Sequence, residues 1–223
     1  MRTLYPRQVL MERERWAAET QAALAAGARS VVRLSARMPA TLRLRGLADS
    51  PVTWGAAAFA AECGHLGFSL QPIGHAQGAL GPWVLWASYD SPRLLKQVGL
   101  LLEEGSSQGQ LVDVDVYSQE GPVSRSLLGL KPRRCIVCGE AAAVCSGRSV
   151  HAPSIVHAAF LNLLECAALS LSNTAAPPYP GQCHGIPQIM SCFLHPGSPD
   201  GYAVGAEPPL NIREISIKGG DTP

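Results

Sequence analysis

The chain has 223 residues, 47% of them hydrophobic and 16% charged, which is enough for one substantial domain with at most a small annex. Eighteen basic side chains against seventeen acidic ones leave a formal charge of +1. That balance excludes the bulk electrostatics of a nucleic-acid or anionic-membrane binder, so neither is expected as a partner.

The opening stretch MRTLYPRQVLMERERW meets a charge every few residues and lacks the apolar core of a secretory signal. Val9, Leu10, Trp16, Ala17 and Leu24 recur at near-helical spacing, so a helix is expected over residues 6–26, stopped by Gly27. SVVRLSAR at 30–37 reads as a strand, followed by a proline turn and the basic run LRLR. Residues 52–66 are alanine-rich and read as a buried helix. Residues 68–73 and 82–88 read as strands joined by a glycine-rich connection. Residues 63–89 contain no Asp, Glu, Lys or Arg, but His65, His75, five glycines and two prolines make them a poor membrane helix. A cytoplasmic location is therefore expected. Ser91 with Pro92 marks a helix start, and the helix runs to Glu104 and Gly105. LVDVDVY at 111–117 reads as the next strand, QEGP at 119–122 as a turn, and VSRSLL as the second strand of a hairpin.

An apolar helix is expected at about 154–171. From 172 to 223, Pro and Gly supply 16 of 52 residues, the composition of loosely ordered chain. The expected organisation is α+β: a mixed sheet flanked by helices with a small Cys/His-rich C-terminal segment. Residues 1–130 form the catalytic α/β region, residues 131–171 complete the domain, and residues 172–223 form a poorly ordered tail. Trp54, Trp83 and Trp86 read as core; His65 and His75 read as ordinary helix and loop residues.

Two clusters carry chemistry. Asp113 and Asp115 stand two apart in a strand and so share one face, while Val112, Val114 and Val116 share the other. The pair is either a solvated strand face or an oxygen-donor site for a hard cation such as Mg²⁺, which would relieve the like-charge repulsion. Cys135, Cys138, Cys145 and His151 follow within 17 residues. They offer either a tetrahedral Zn²⁺ set, with Cys-x-x-Cys-Gly as half of a zinc knuckle, or reduced, partly buried thiols.

Together, GQLVDVDVYSQEGPVSR and KPRRCIVCGEAAAVCSGRSVH resemble the citrate lyase holo-acyl-carrier-protein synthase family, the apo-citrate lyase phosphoribosyl-dephospho-CoA transferases. The resemblance rests on Gly109, Asp113, Asp115, Val116, Glu120, Gly121, Arg125, Pro132, Arg133, Cys135, Cys138, Ala142, Cys145 and His151. It extends more weakly to Lys96, to the strand at 31–37 and to Glu14 and Arg15, covering roughly residues 10–168. The sequence departs from the pattern at Gln110, where a basic residue is expected. It departs again in the stretch Pro39 to Arg43, which lacks a glycine.

The resemblance implies a nucleotidyltransferase-like fold and a reaction of that type. The substrate would be 2′-(5″-triphosphoribosyl)-3′-dephospho-CoA. Its phosphoribosyl-dephospho-CoA part would pass to a serine of the citrate lyase acyl carrier subunit, or of a related carrier, with release of pyrophosphate. Asp113 and Asp115 would hold Mg²⁺, one of them accepting the serine proton, with a third carboxylate still to be named. Arg125, Arg133, Lys96 and Arg43 would bind the triphosphate. Two other readings stand beside this one: a zinc-stabilised interaction module without catalysis, and the synthase that builds the triphosphoribosyl precursor.

Overall fold

The computed structural model describes residues 6–172. The expectation for the tail therefore lies outside the described residues, apart from Ser172.

Helix α1 (Pro6–Ala25) leads into strand β1 (Ser30–Ala36). The basic run after Pro39 becomes a single helical turn, α2 (Ala40–Arg43), and the alanine-rich stretch becomes α3 (Asp49–His65). Strands β2 (Gln71–Gly78) and β3 (Gly81–Ser88) form a tight hairpin. Helix α4 (Pro92–Gly105) and a 3-10 turn at Gly109–Leu111 then deliver β4 (Val112–Ser118), which is paired at its end with the two-residue β5 (Gly121–Pro122). Helices α5 (Ala142–Gly147) and α6 (Pro153–Ser172) follow.

The sheet order is β2-β3-β1-β4-β5, and every pairing is antiparallel. This corrects the expected mixed sheet. β1 neighbours β3 on one side and β4 on the other, and both run opposite to it. Two further expectations are corrected. The supposed glycine-rich connection at 74–78 is strand: Gly74, His75 and Ala76 pair with Leu85, Val84 and Trp83. A side chain at Gly74 would meet the carboxylate of Glu19 at 2.8 Å and the Trp83 ring at 3.3 Å, so the glycine marks close packing under α1. The expected hairpin strand over VSRSLL ends almost at once. Val123 still donates to the carbonyl of Val116, but a 3-10 turn at Ser126–Leu128 follows and Arg125 turns toward α4.

Strand alternation sorts the side chains. Val32, Leu34, Val112, Val114 and Val116 face the main core with Phe59, Cys63, Leu95 and Val98 from α3 and α4, and with Phe160 from α6. The opposite face carries a smaller core, Val31, Trp83 and Leu85 with Leu24, capped by Trp16 of α1. Trp83 and Trp86 are both buried. Glu12 ties α1 down over the β2–β3 turn, accepting from the Trp83 indole at 2.8 Å and from the Leu80 N–H at 2.9 Å. Among the described residues, no helix is long and apolar enough to cross a membrane.

Candidate active site and metal centre

The register of β1 against β4 places Arg33 opposite Asp115 and Ser35 opposite Asp113. The two aspartates thus lie on the α1 side of the sheet, and the valines between them fill the main core. A cleft of about 490 Å³ opens on the same side. Arg13 and Trp16 of α1, Arg33, Arg43, Asp113 and Tyr117 line it. Asp115 is not among its lining residues; its carboxylate is ion-paired with Arg33, which is. The guanidinium of Arg33 lies 4.3 Å from the centre of the Trp16 ring and 5.8 Å from that of Tyr117. Its Nε is buried without a hydrogen-bond partner, and so is the Nε of Arg43.

Asp113 accepts from Arg133 at 3.0 Å and keeps 46% of its side-chain surface accessible. Its pKa lies above the ordinary carboxylate value. Burial of the carboxyl contributes most, followed by the like charges of Asp115 and Glu103, while Arg133 and Lys96 pull the other way. Burial, and then the charge of Asp115, also raise the Tyr117 hydroxyl. Burial first, and then the like charges of Asp115 and Glu103, thus favour the neutral form of Asp113.

The expected phosphate ligands divide. Arg43 lines the cleft. Arg133 is anchored by two acceptors, Asp113 and the Val112 carbonyl at 2.9 Å, and by an ion pair with Glu103 at 3.5 Å. Arg125 is paired with Glu103 at 2.8 Å and with Glu104. Lys96 is buried, and its ammonium donates to the Val114 carbonyl. The carboxylate besides Asp115 that bears on Asp113 is Glu103, but it is 1% exposed and already accepts from the Val114 N–H at 2.7 Å.

Sequence reading passed over Arg33, Ser35, Arg13 and Tyr117. The alternation of SVVRLSAR could have found the first two, since Arg33 and Ser35 fall on one face of β1. Tyr117 continues the Asp113–Asp115 alternation on β4. Arg37, just past β1, is a further cation near this site; its NH2 donates to the Arg134 carbonyl at 3.0 Å. Its pKa is lowered to about 10, first by burial and then by the charge of Arg133.

The second centre forms at residues 133–151. Arg134 bridges Ala141, Cys135 N–H donates to the Glu140 carbonyl at 2.6 Å, and Gly139 N–H returns to the Cys135 carbonyl at 2.9 Å. Gly139 closes this turn at φ +79°, a left-handed conformation that a side chain would strain. Helix α5 (Ala142–Gly147) presents Cys145, and the chain returns to place His151. The ligand atoms of Cys135, Cys138, Cys145 and His151 lie within 4.8 Å of one another. The Sγ atoms of Cys138 and Cys145 are 3.5 Å apart. A tetrahedral ion with Zn–S bonds of about 2.3 Å would separate its sulfurs by roughly 3.8 Å. The Nε2 of His151 is buried without a partner, as an unfilled donor would be. Burial works to raise the Cys135 thiol, but backbone N–H groups of Val137 and Cys138 together with the side chains of Cys145 and Cys138 outweigh it and lower the thiol to about 7. These four residues can hold a metal ion such as zinc.

The sequence matches the family described as "Apo-citrate lyase phosphoribosyl-dephospho-CoA transferase" over residues 6–166. Proteins of that name from Escherichia coli (strain SMS-3-5 / SECEC) and from Shigella boydii serotype 18 are each 34% identical to it over 109 residues. The match covers 46% of this chain and 60% of each relative's length. A protein from Escherichia coli (strain 55989 / EAEC), named as probable for the same activity, is similar to the same extent.

Proposed function

The chain belongs to the apo-citrate lyase phosphoribosyl-dephospho-CoA transferase family, and from that premise we propose that it attaches the phosphoribosyl-dephospho-CoA group to a carrier protein. The donor is 2′-(5″-triphosphoribosyl)-3′-dephospho-CoA. The acceptor is a serine of the citrate lyase acyl carrier subunit. The observation that carries the reading is the convergence of Asp113, Arg33, Arg43 and Arg13 on one cleft: a carboxylate for a proton or a cation beside guanidinium cations for a polyphosphate.

In this reading the serine Oγ attacks the α-phosphorus, a new P–O bond forms, and the bond to pyrophosphate breaks in line with it. Arg33, Arg43 and Arg13 hold the phosphate oxygens and neutralise the charge that grows on the leaving pyrophosphate. Asp113 reaches into the cleft and accepts the serine proton; its raised pKa suits that task. Arg133, fixed by Glu103 and the Val112 carbonyl, positions Asp113 and does not itself bind phosphate. Lys96 and Arg125 hold β4 in place. The oxygen donors of Asp113 and Asp115 fit Mg²⁺, which when bound would add charge neutralisation at the phosphates. An acidic pair at i, i+2 on a strand bordering an open cleft supports a nucleotidyltransferase-like arrangement. The Cys/His centre is read as a structural Zn²⁺ site, because four protein ligands leave no position for substrate.

The test is a mass measurement on the apo acyl carrier subunit incubated with the precursor, Mg²⁺ and this protein. A mass gain equal to the prosthetic group, with one pyrophosphate released per carrier, is expected. An unchanged carrier, with precursor formed in a parallel incubation of dephospho-CoA and a ribose-triphosphate donor such as ATP, would instead mark the protein as the precursor synthase.

A further inference from the structure

We infer that Arg33 is a polyphosphate ligand that must let go of Asp115 to do its work, so that the oxyanion and the divalent cation enter the cleft as a coupled pair. The inference rests on the functional reading above, that this cleft takes a triphosphate.

Three observations carry it. First, Asp113 lines the cleft, whereas Asp115 does not and is instead ion-paired with Arg33, which does. A cation approaching the acidic pair from the cleft finds both carboxylates ion-paired, Asp113 with the anchored Arg133 and Asp115 with Arg33. Second, Arg33 is under-used. A guanidinium reads oxyanions through its fork of parallel N–H groups, yet here an Nη donates to Asp115 while Nε is buried and bonded to nothing. Arg43, in the same cleft, also leaves a buried Nε unpartnered. Two idle guanidinium donors in one cleft point to an oxyanion. Third, Arg33 and Arg133 differ in kind. Arg133 is anchored by Asp113, Glu103 and the Val112 carbonyl. Arg33 is held against the Trp16 ring at 4.3 Å, a contact that keeps its plane but does not consume its donors. It can turn from carboxylate to phosphate with its stacking kept.

The exchange follows from charge. A phosphate group carries more charge than a carboxylate and outcompetes it for the guanidinium. Asp115 is then uncovered beside Asp113, which keeps Arg133, and a pair left with one arginine for two carboxylates favours a divalent cation. In the free protein Arg33 is the counter-ion of Asp115 as Arg133 is of Asp113.

The test uses the full chain, Mn²⁺ as a cation probe read by electron paramagnetic resonance, and inorganic pyrophosphate read by calorimetry in chelator. Wild-type protein should bind pyrophosphate and bind Mn²⁺ weakly on its own. Arg33→Gln should bind Mn²⁺ about tenfold more tightly without pyrophosphate, because a positive charge has left the acidic pair, and bind pyrophosphate about tenfold more weakly. Arg33→Lys guards against a glutamine variant that fails to fold. It keeps the charge, so Mn²⁺ binding stays weak, while loss of the fork weakens pyrophosphate binding. Unchanged Mn²⁺ affinity in Arg33→Gln, or wild-type pyrophosphate affinity in Arg33→Lys, overturns the exchange and leaves the transferase reading standing. Pyrophosphate that binds neither wild type nor variants overturns the reading of the cleft itself.

Discussion

Lys96 and Glu103, two turns apart on α4, hold the two backbone groups of one residue. The ammonium of Lys96 donates to the carbonyl of Val114, and the carboxylate of Glu103 accepts its N–H at 2.7 Å. Along this stretch β4 is paired to β1 on its other edge, so a buried cation and a buried anion do the work that another strand would do. Both are almost wholly buried, at 6% and 1% exposed. Glu103 also carries Arg125 and Arg133. Removing its charge leaves those cations without their shared partner. Glu103→Gln should therefore destabilise the fold by about 3–5 kcal/mol, whereas Lys96→Met, which leaves one carbonyl unmet, should cost about 1–3 kcal/mol. Equilibrium urea unfolding checks both, and equal costs would show that Glu103 is not the hub.

Asp113→Asn should abolish most transfer, with kcat/KM down by about 10²–10³, while leaving stability within about 1 kcal/mol of wild type. Its pH dependence is more telling. The Asp113 pKa is raised in the folded protein, so below the ordinary carboxylate range the residue costs nothing. As pH rises, the unfolded chain loses this proton first, and folding stability falls until the folded carboxyl has also ionised. The asparagine variant lacks that loss. Its stability relative to wild type should improve from acidic to neutral pH. A difference that does not vary with pH would show that burial of the Asp113 carboxyl, with the like charges of Asp115 and Glu103, has no energetic consequence.

Protein purified without chelator should carry about one zinc per chain, held by Cys135, Cys138, Cys145 and His151. Cys138→Ser should release it and lower the thermal midpoint, because the knuckle turns have little apolar core of their own. Metal analysis with thiol titration decides the matter. Zinc near zero with freely titrating thiols in folded protein would leave the cluster as partly buried cysteines.

Gly99 lies on the same stripe of α4 as Lys96 and Glu103. A Cβ there would sit 2.7 Å from Cγ1 and 2.9 Å from Cβ of Val114. Gly99→Ala must therefore push α4 from β4 or bend the strand, at a cost of about 1–3 kcal/mol despite the better helix propensity of alanine. It should also lower transfer activity, because Asp113 and Asp115 flank the displaced residue. Crystal structures and kinetics of the variant check this; full activity at reduced stability would mean that the strand holds and the helix yields.

Much of this was legible in the sequence because period and capping are local signals. Ser91 and Pro92 announced α4, and the alternation of LVDVDVY announced which face of β4 carries charge. The four Cys/His ligands were legible because they lie close together along the chain. The cleft was not. Arg33 reads as an ordinary strand residue until β1 is known to lie against β4 in a register that sets it opposite Asp115. The buried fates of Lys96 and Arg125 were hidden for the same reason, since a cation in a sequence carries no mark of whether it meets solvent or a carbonyl. The strand through Gly74 is not legible because its glycine answers to the packing of Trp83 on the partner strand and of Glu19, which lies far from it in the chain.

The order of the strands has a consequence for how the protein is made. Arg33 and Asp115 are 82 residues apart in sequence and neighbours in the sheet. During synthesis β3, the partner for one edge of β1, is complete at residue 88, whereas β4, the partner for its other edge, is complete only at residue 118. Contacts this distant in sequence form slowly. A nascent chain therefore holds a half-paired central strand, with Arg33 and Ser35 on its face and no carboxylates to meet them. The acidic pair and the arginines can become one site only once β4 has been made, so a translation product that stops before residue 112 carries no part of the acidic pair.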